Sequence, residues 1–132
     1  MLKKFEIKTN QRNQMIDITS EISKFIQLSK IESGICVVYS PHTTAGITIN
    51  ENSDADVCSD MISFFSKLIP KSNLFNHSEG NSDSHIKTSL FNCNQTIIIE
   101  NGELLLGTWQ GIYFCEFDGP RFRNYFVKII KD

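Results

Sequence analysis

Thr96-Ile97-Ile98-Ile99-Glu100-Asn101-Gly102-Glu103-Leu104-Leu105-Leu106 reads as strand, two-residue turn and returning strand. The isoleucine run suits a pleated, half-buried surface. Asn-Gly accepts positive φ at both central positions of a tight hairpin turn. An apolar partner follows at once, so this part of the chain is antiparallel β structure. Working downstream, residues 111–117 form another strand, Asp118-Gly119-Pro120 turns the chain, and residues 125–131 close it. Working upstream, residues 35–39 are a short, almost wholly apolar run, the pattern of a strand covered on both faces. Pro41 breaks it, and residues 45–50 alternate as its return strand. Residues 5–9 and 14–17 read as two more strands joined by the turn 10–13, a second hairpin.

Helices fill the gaps. Ile18, Ile22, Phe25 and Ile26 follow helical spacing, with Thr19 as N-cap and Glu21 in the first turn, and Ser33-Gly34 ends the element. Residues 54–69 give the clearest helix. Val57, Met61, Phe64, Phe65 and Leu68 fall on one face, which reads as packing, and Pro70 stops it. Residues 85–90 suit a short helix capped by Ser82 or Asp83. About eight mostly antiparallel strands with two or three helices make an α+β fold, and residues 1–132 fit a single domain.

Bulk properties exclude several function classes. A net charge of −2 leaves no basic footprint for nucleic acid. No apolar stretch has the length to cross a bilayer, and Met1-Leu2-Lys3-Lys4 is not followed by the apolar core of a signal peptide. A cytoplasmic protein with no membrane partner is expected. Cys36, Cys58, Cys93 and Cys115 contain no CxxC pair, so they read as reduced thiols and not as a zinc ribbon. Walker, Rossmann and nucleophile-elbow motifs are all missing.

Chemistry concentrates around the three histidines, each in a polar, turn-rich segment. His42 lies in Ser-Pro-His-Thr-Thr-Ala-Gly, with Glu51 and Asp54 returning at the far end of the next strand. Asp54 also suits a helix cap. His77 and His85 flank a polar loop that holds Glu79 and Asp83. Neutral imidazoles and carboxylates are the usual zinc donors, and Asp83 could instead orient a histidine. A solvated loop explains the same residues equally well. Gly107-Thr108-Trp109-Gln110-Gly111 places two glycines around the only tryptophan, a turn whose N–H groups could hold an anion. The plainer reading packs Trp109 on the core. Arg121 and Arg123 follow the turn at Pro120, where a guanidinium suits phosphate; surface charge is the alternative for one of them.

Three segments together carry a family resemblance: Ser-Pro-His-Thr-Thr-Ala-Gly-Ile-Thr-Ile-Asn-Glu-Asn from Ser40, Gly-Asn-Ser-Asp-Ser-His-Ile-Lys from Gly80, and the stretch from Glu100 through Gly-Thr-Trp-Gln to Arg121. The chain resembles the YjbQ-like family, which is labelled secondary thiamine-phosphate synthase. The resemblance implies one α+β domain assembled as a homotrimer, with a metal-type site on His42, His77 and His85. It also implies a weak ability to join the two halves of thiamine. Ten phenylalanines in so small a chain agree with association, since one small core need not bury them all.

The expectation is therefore a small metal-dependent enzyme acting on a phosphorylated small molecule. His42, His77 and His85 bind a divalent ion. Glu51, Glu79 or Asp83 is a further ligand, an orienter or a general base. Gly107, Thr108, Trp109, Gln110 and Arg121 hold the phosphorylated metabolite. Zinc or a similar ion suits the histidines, whereas magnesium would go with the phosphate and prefers oxygen ligands. Two alternatives use the same residues: a hydrolase with a zinc-bound water, and a trimeric metabolite-binding module without catalysis.

Overall fold

A computed structural model describes residues 1–132. In chain order the elements are β1 (Leu2–Lys8), β2 (Gln14–Asp17), α1 (Thr19–Ser29), β3 (Ser33–Tyr39), β4 (Ala45–Glu51), α2 (Ala55–Leu68), α3 (Ser82–Phe91), β5 (Asn94–Glu100), β6 (Glu103–Leu104), β7 (Gln110–Glu116) and β8 (Phe122–Lys131). The fold is α+β, with every strand pair antiparallel. Two sheets form, ordered β1-β8-β3-β5-β6 and β2-β7-β4. The Asn101-Gly102 turn joins β5 to β6 with positive φ at both residues, as the opening stretch predicts. No helix is long and apolar enough to cross a membrane.

Side-chain alternation sets the layers. Cys36 and Val38 of β3, Ile97 and Ile99 of β5, and Tyr125, Val127 and Ile129 of β8 point inward from the larger sheet. They meet Ala45 and Ile47 of β4 and Ile112 and Phe114 of β7, and α1 adds Ile22, Phe25 and Ile26 to the same core. The opposite face of the smaller sheet is also covered. Tyr113 and Cys115 of β7 pack there with Phe91 and Phe117, and Met61 and Phe65 of α2 close over them. The smaller sheet is thus sandwiched between the larger sheet and the α2–α3 layer.

Several local expectations are corrected. β1 and β2 are not a hairpin: β1 pairs with β8 (Phe5↔Tyr125) and β2 with β7 (Ile16↔Phe114). β3 and β4 are not partners either, since β3 lies between β5 and β8 while β4 pairs with β7. In both places the chain leaves one sheet for the other, and a crossing corner has the same polar composition as a reverse turn. The strand covered on both faces is β7, whereas β3 buries only alternate residues. Ser33 and Gly34 begin β3, and α1 ends earlier at a left-handed Lys30. Thr19 is inside α1. The cap position is Ile18, and Asp17 accepts the Thr19 N–H at 2.9 Å. α3 starts at Ser82, after Asn81. On α2, Phe64 and Leu68 remain exposed while Met61 and Phe65 pack.

Candidate functional site

The loop after β3 fixes His42 through strand geometry. In the β1–β8 ladder the directly bonded pairs fall on odd residues of β8, as Met1–Ile129 and Thr9–Arg121 show. The main-chain groups of Asn124 therefore face the β3 side. β3 has already ended there at Tyr39, and the pairing does not continue past Phe126. His42 fills the gap: Nε2 lies 3.1 Å from Asn124 N and 3.0 Å from Asn124 O. Nε2 thus closes the Asn124 main-chain groups that β3 leaves open, accepting from the N–H in one tautomer and donating to the carbonyl in the other. Burial, and then the positive charge of Arg123, lowers the pKa of His42, against the Asn124 bond and Glu116. His42 is a ladder-capping group through Nε2, and Nδ1 is the ring nitrogen left for any further partner.

His77 and His85 do come together. Their ring centres are 5.5 Å apart at an interplanar angle of 77°. The rings pack edge to face, at a separation close to the roughly 5 Å between two imidazoles on one tetrahedral ion at ordinary Zn–N lengths. No third His, Cys, Asp or Glu joins them. His85 lines an open hollow of ≈ 460 Å³ with Thr43, Thr88, Ser89, Asn92 and Cys93. The His42 segment reaches this hollow through Thr43. Glu79 is exposed on the loop between the histidines. Asp83 is fully buried, and Arg12 grips it with two hydrogen bonds of 2.8 and 3.1 Å while Lys87 adds one of 3.1 Å. Burial pushes its pKa upward, but the bonds and charges of Arg12 and Lys87 outweigh that and hold it below 3.8. Residues two apart on a helix do not share a face. Asp83 therefore anchors α3, and its carboxylate is not free to act on the imidazoles.

The sequence reading missed the most heavily bonded group. Glu116 is fully buried. Its oxygens accept from Thr9 Oγ1 (2.7 Å), Arg123 Nε (2.9 Å) and Arg123 Nη2 (2.6 Å), and from the N–H groups of Phe117 and Asp118 (3.1 Å each). Arg123 Nη2 also reaches Thr44 Oγ1 at 2.7 Å. Parity held the signal: Arg123 shares the inward face of β8 with Tyr125, Val127 and Ile129. Arg121 is the surface arginine, folded onto Asp118 through its carbonyl (2.8 Å) and carboxylate (2.9 Å).

The remaining expected residues lie elsewhere. Glu51 pairs with Gln110, whereas Ala45 pairs with Glu116 at the other end of β4 and β7. Six steps along a strand span roughly 20 Å. Glu51 and the Gly107–Gln110 turn thus sit at the end away from Thr43, His85 and Arg121, which corrects the idea that Arg121 and this turn hold one phosphate. The turn is rigid. Gln110 N–H bonds to Gly107 O (3.0 Å), Gly107 N–H to Gln110 Oε1 (2.8 Å), and Asn52 N–H to Trp109 O (2.9 Å). Trp109 is not packed on the core; it is 60 % exposed.

Comparison with known proteins gives a consistent family. The model of the family described as "UPF0047 protein YjbQ-like" matches residues 3–132. A UPF0047 protein of Methanocaldococcus jannaschii is 61 % identical over 132 residues, covering 100 % of this chain and 96 % of that protein. YugU of Bacillus subtilis, also a UPF0047 protein, is 53 % identical over 131 residues, 98 % of this chain and 99 % of that one. The crystal structure of a YjbQ/UPF0047 protein from Clostridium acetobutylicum superposes with a TM-score of 0.95 at 55 % identity, over 97 % of this chain and 99 % of that one. A protein of unknown function from Sulfolobus solfataricus superposes equally well, with a TM-score of 0.95 at 26 % identity, over 100 % of this chain and 97 % of that one.

Proposed function

The chain belongs to the UPF0047 YjbQ-like family, and we propose that it is a small metal-dependent enzyme acting on a phosphorylated small molecule. One observation carries the reading: the His77 and His85 rings meet at 5.5 Å, and His85 lines the open hollow beside Thr43. Two imidazoles suit zinc or a similar borderline ion better than magnesium. Such an ion, when bound, would polarise a phosphoryl oxygen or lower the pKa of a water. Around it Thr43, Ser89 and Asn92 supply polar groups for orienting a substrate, and Glu79 is the nearest carboxylate along the loop. Asp83 positions α3, and hence His85, through Arg12 and Lys87. The four free cysteines suit a reducing cytoplasm.

A homotrimer is part of the same proposal. On the outer face of the larger sheet Tyr39 of β3, Ile98 of β5 and Ile130 of β8 are exposed, and Ile35, Val37 and Phe126 beside them are only half-buried. An apolar face of this kind marks an association surface.

Elemental analysis of purified, untagged protein tests the site. Near-stoichiometric transition metal is expected in the wild type and in His42→Asn, and its loss in His85→Ala. Protein that stays metal-free after reconstitution would sink the reading. Product analysis then separates reactions: pyrophosphate release with thiamine phosphate formation, as the family resemblance suggests, against simple cleavage of a phosphate ester.

A further inference from the structure

We infer that the site is shared between copies, the Glu51–Trp109 end of one chain covering the His77–His85 pair and the hollow beside His85 on the next. The inference rests on the proposed trimer and deepens it. Within one chain these two ends are separated by the length of β4, roughly 20 Å, and each end is incomplete. At one end His77 and His85 are two ligands without a third. At the other, Glu51 bonds only through its main chain, to Asn50 Oδ1 and from the Tyr113 hydroxyl, so its carboxylate is uncommitted. Next to its partner Gln110 stands one large side chain without cover, Trp109, exposed at 60 %. Trp109 sits on a turn pinned by three hydrogen bonds. A rigid, exposed tryptophan is the usual anchor of a protein contact.

Symmetry supplies the remaining step. The contacts of a cyclic trimer are head-to-tail, so one surface of each copy meets a different surface of the next. A surface with two neighbouring imidazoles, one of them lining an open hollow, and a surface with a free carboxylate and an aromatic anchor are complementary in this sense. Histidine and carboxylate together form a common zinc donor set. The Glu51 carboxylate then acts on the neighbour's hollow, and Trp109 shields it from water.

Cross-linking tests the contact without a metal. Cys93 is exposed and lines the hollow. Oxidation, or a short bismaleimide, applied to Thr108→Cys protein should join chains through Cys93 into covalent dimers and trimers, which Thr108→Cys with Cys93→Ser should not form. A trimer by sedimentation that gives no cross-link, or a monomeric wild type, would overturn the inference. Metal failure alone would leave the cross-link intact, so the two readings fail separately. With cobalt(II) as probe, Glu51→Gln and His85→Ala should each lose the ion. Random mixing of the two variants should restore about one site in four, because only one of the four neighbour combinations carries both groups. Full cobalt binding by Glu51→Gln alone would remove the carboxylate from the site.

Discussion

His42 shows how a motif residue can serve the backbone and not the chemistry. Its Nε2 meets the Asn124 main-chain N–H and carbonyl, which β3 would have paired had it run two residues further. His42→Ala should cost roughly 1–3 kcal/mol by urea denaturation, the price of an orphaned donor, and leave metal content unchanged. The pH sign follows from its lowered pKa. The unfolded chain binds the proton more readily than the folded one. The contribution is therefore present above 6.5 and is lost as pH falls through that value towards the folded pKa. His42→Ala should flatten this acid limb; an unchanged limb would place the titration elsewhere. Asp83 works differently. Asp83→Asn leaves the Lys87 ammonium buried without a counter-charge and should cost about 3–5 kcal/mol, read as a lower urea midpoint at constant slope. Adding Lys87→Met should recover part of the loss. The sequence displayed the histidines because they are few and lie in polar segments. It could not tell Asp83 from Glu79, because burial is decided by Arg12, seventy-one positions away in the chain.

At the scale of elements, the strands and helices were readable and their partners were not. Period-two alternation located β1 and β4, and Asn101-Gly102 named the one tight hairpin correctly. Pairing across the sheets depends on corners, and the polar residues at 10–13 and 41–44 look like reverse turns to a local reading. Gly46 records what the corner builds. A Cβ there would lie 2.5 Å from the Asn92 carbonyl oxygen and 3.5 Å from the Phe91 Cβ. The same carbonyl accepts the Ile47 N–H at 3.0 Å. The end of α3 thus rests directly on β4, and α3 carries His85. Gly46→Ala should destabilise by about 1–3 kcal/mol through overpacking and should also weaken cobalt(II) binding by displacing α3. A variant with lower stability but unaltered cobalt affinity would show that the His77–His85 pair does not depend on this contact.

On the scale of the whole molecule, the misreading of β3 is itself informative. An almost wholly apolar run predicts cover on both faces, and in the single chain only Gly34, Cys36 and Val38 receive it. Registers align the uncovered residues into rows: Ile130, Ile35 and Ile98 in one, Phe126 and Tyr39 in another. Phe122, 84 % exposed, continues the face beyond β3. Ile, Val, Tyr and Phe on this face are what the proposed homotrimer would bury. Ile35→Lys with Ile98→Lys tests this directly. Ile98 is exposed and Ile35 half-buried on the outer face of the sheet in one chain, so each lysine can extend into water and the far-UV circular dichroism should stay that of the wild type. Facing a partner, the same two ammonium groups would be desolvated without counter-charges, a cost of several kcal/mol per ion that outweighs the apolar contact they replace. Sedimentation should therefore show the variant as a monomer beside a trimeric wild type. A folded variant that sediments unchanged would show that the face is bare in the assembly as well, and the burial specified by β3 would then have no structural counterpart.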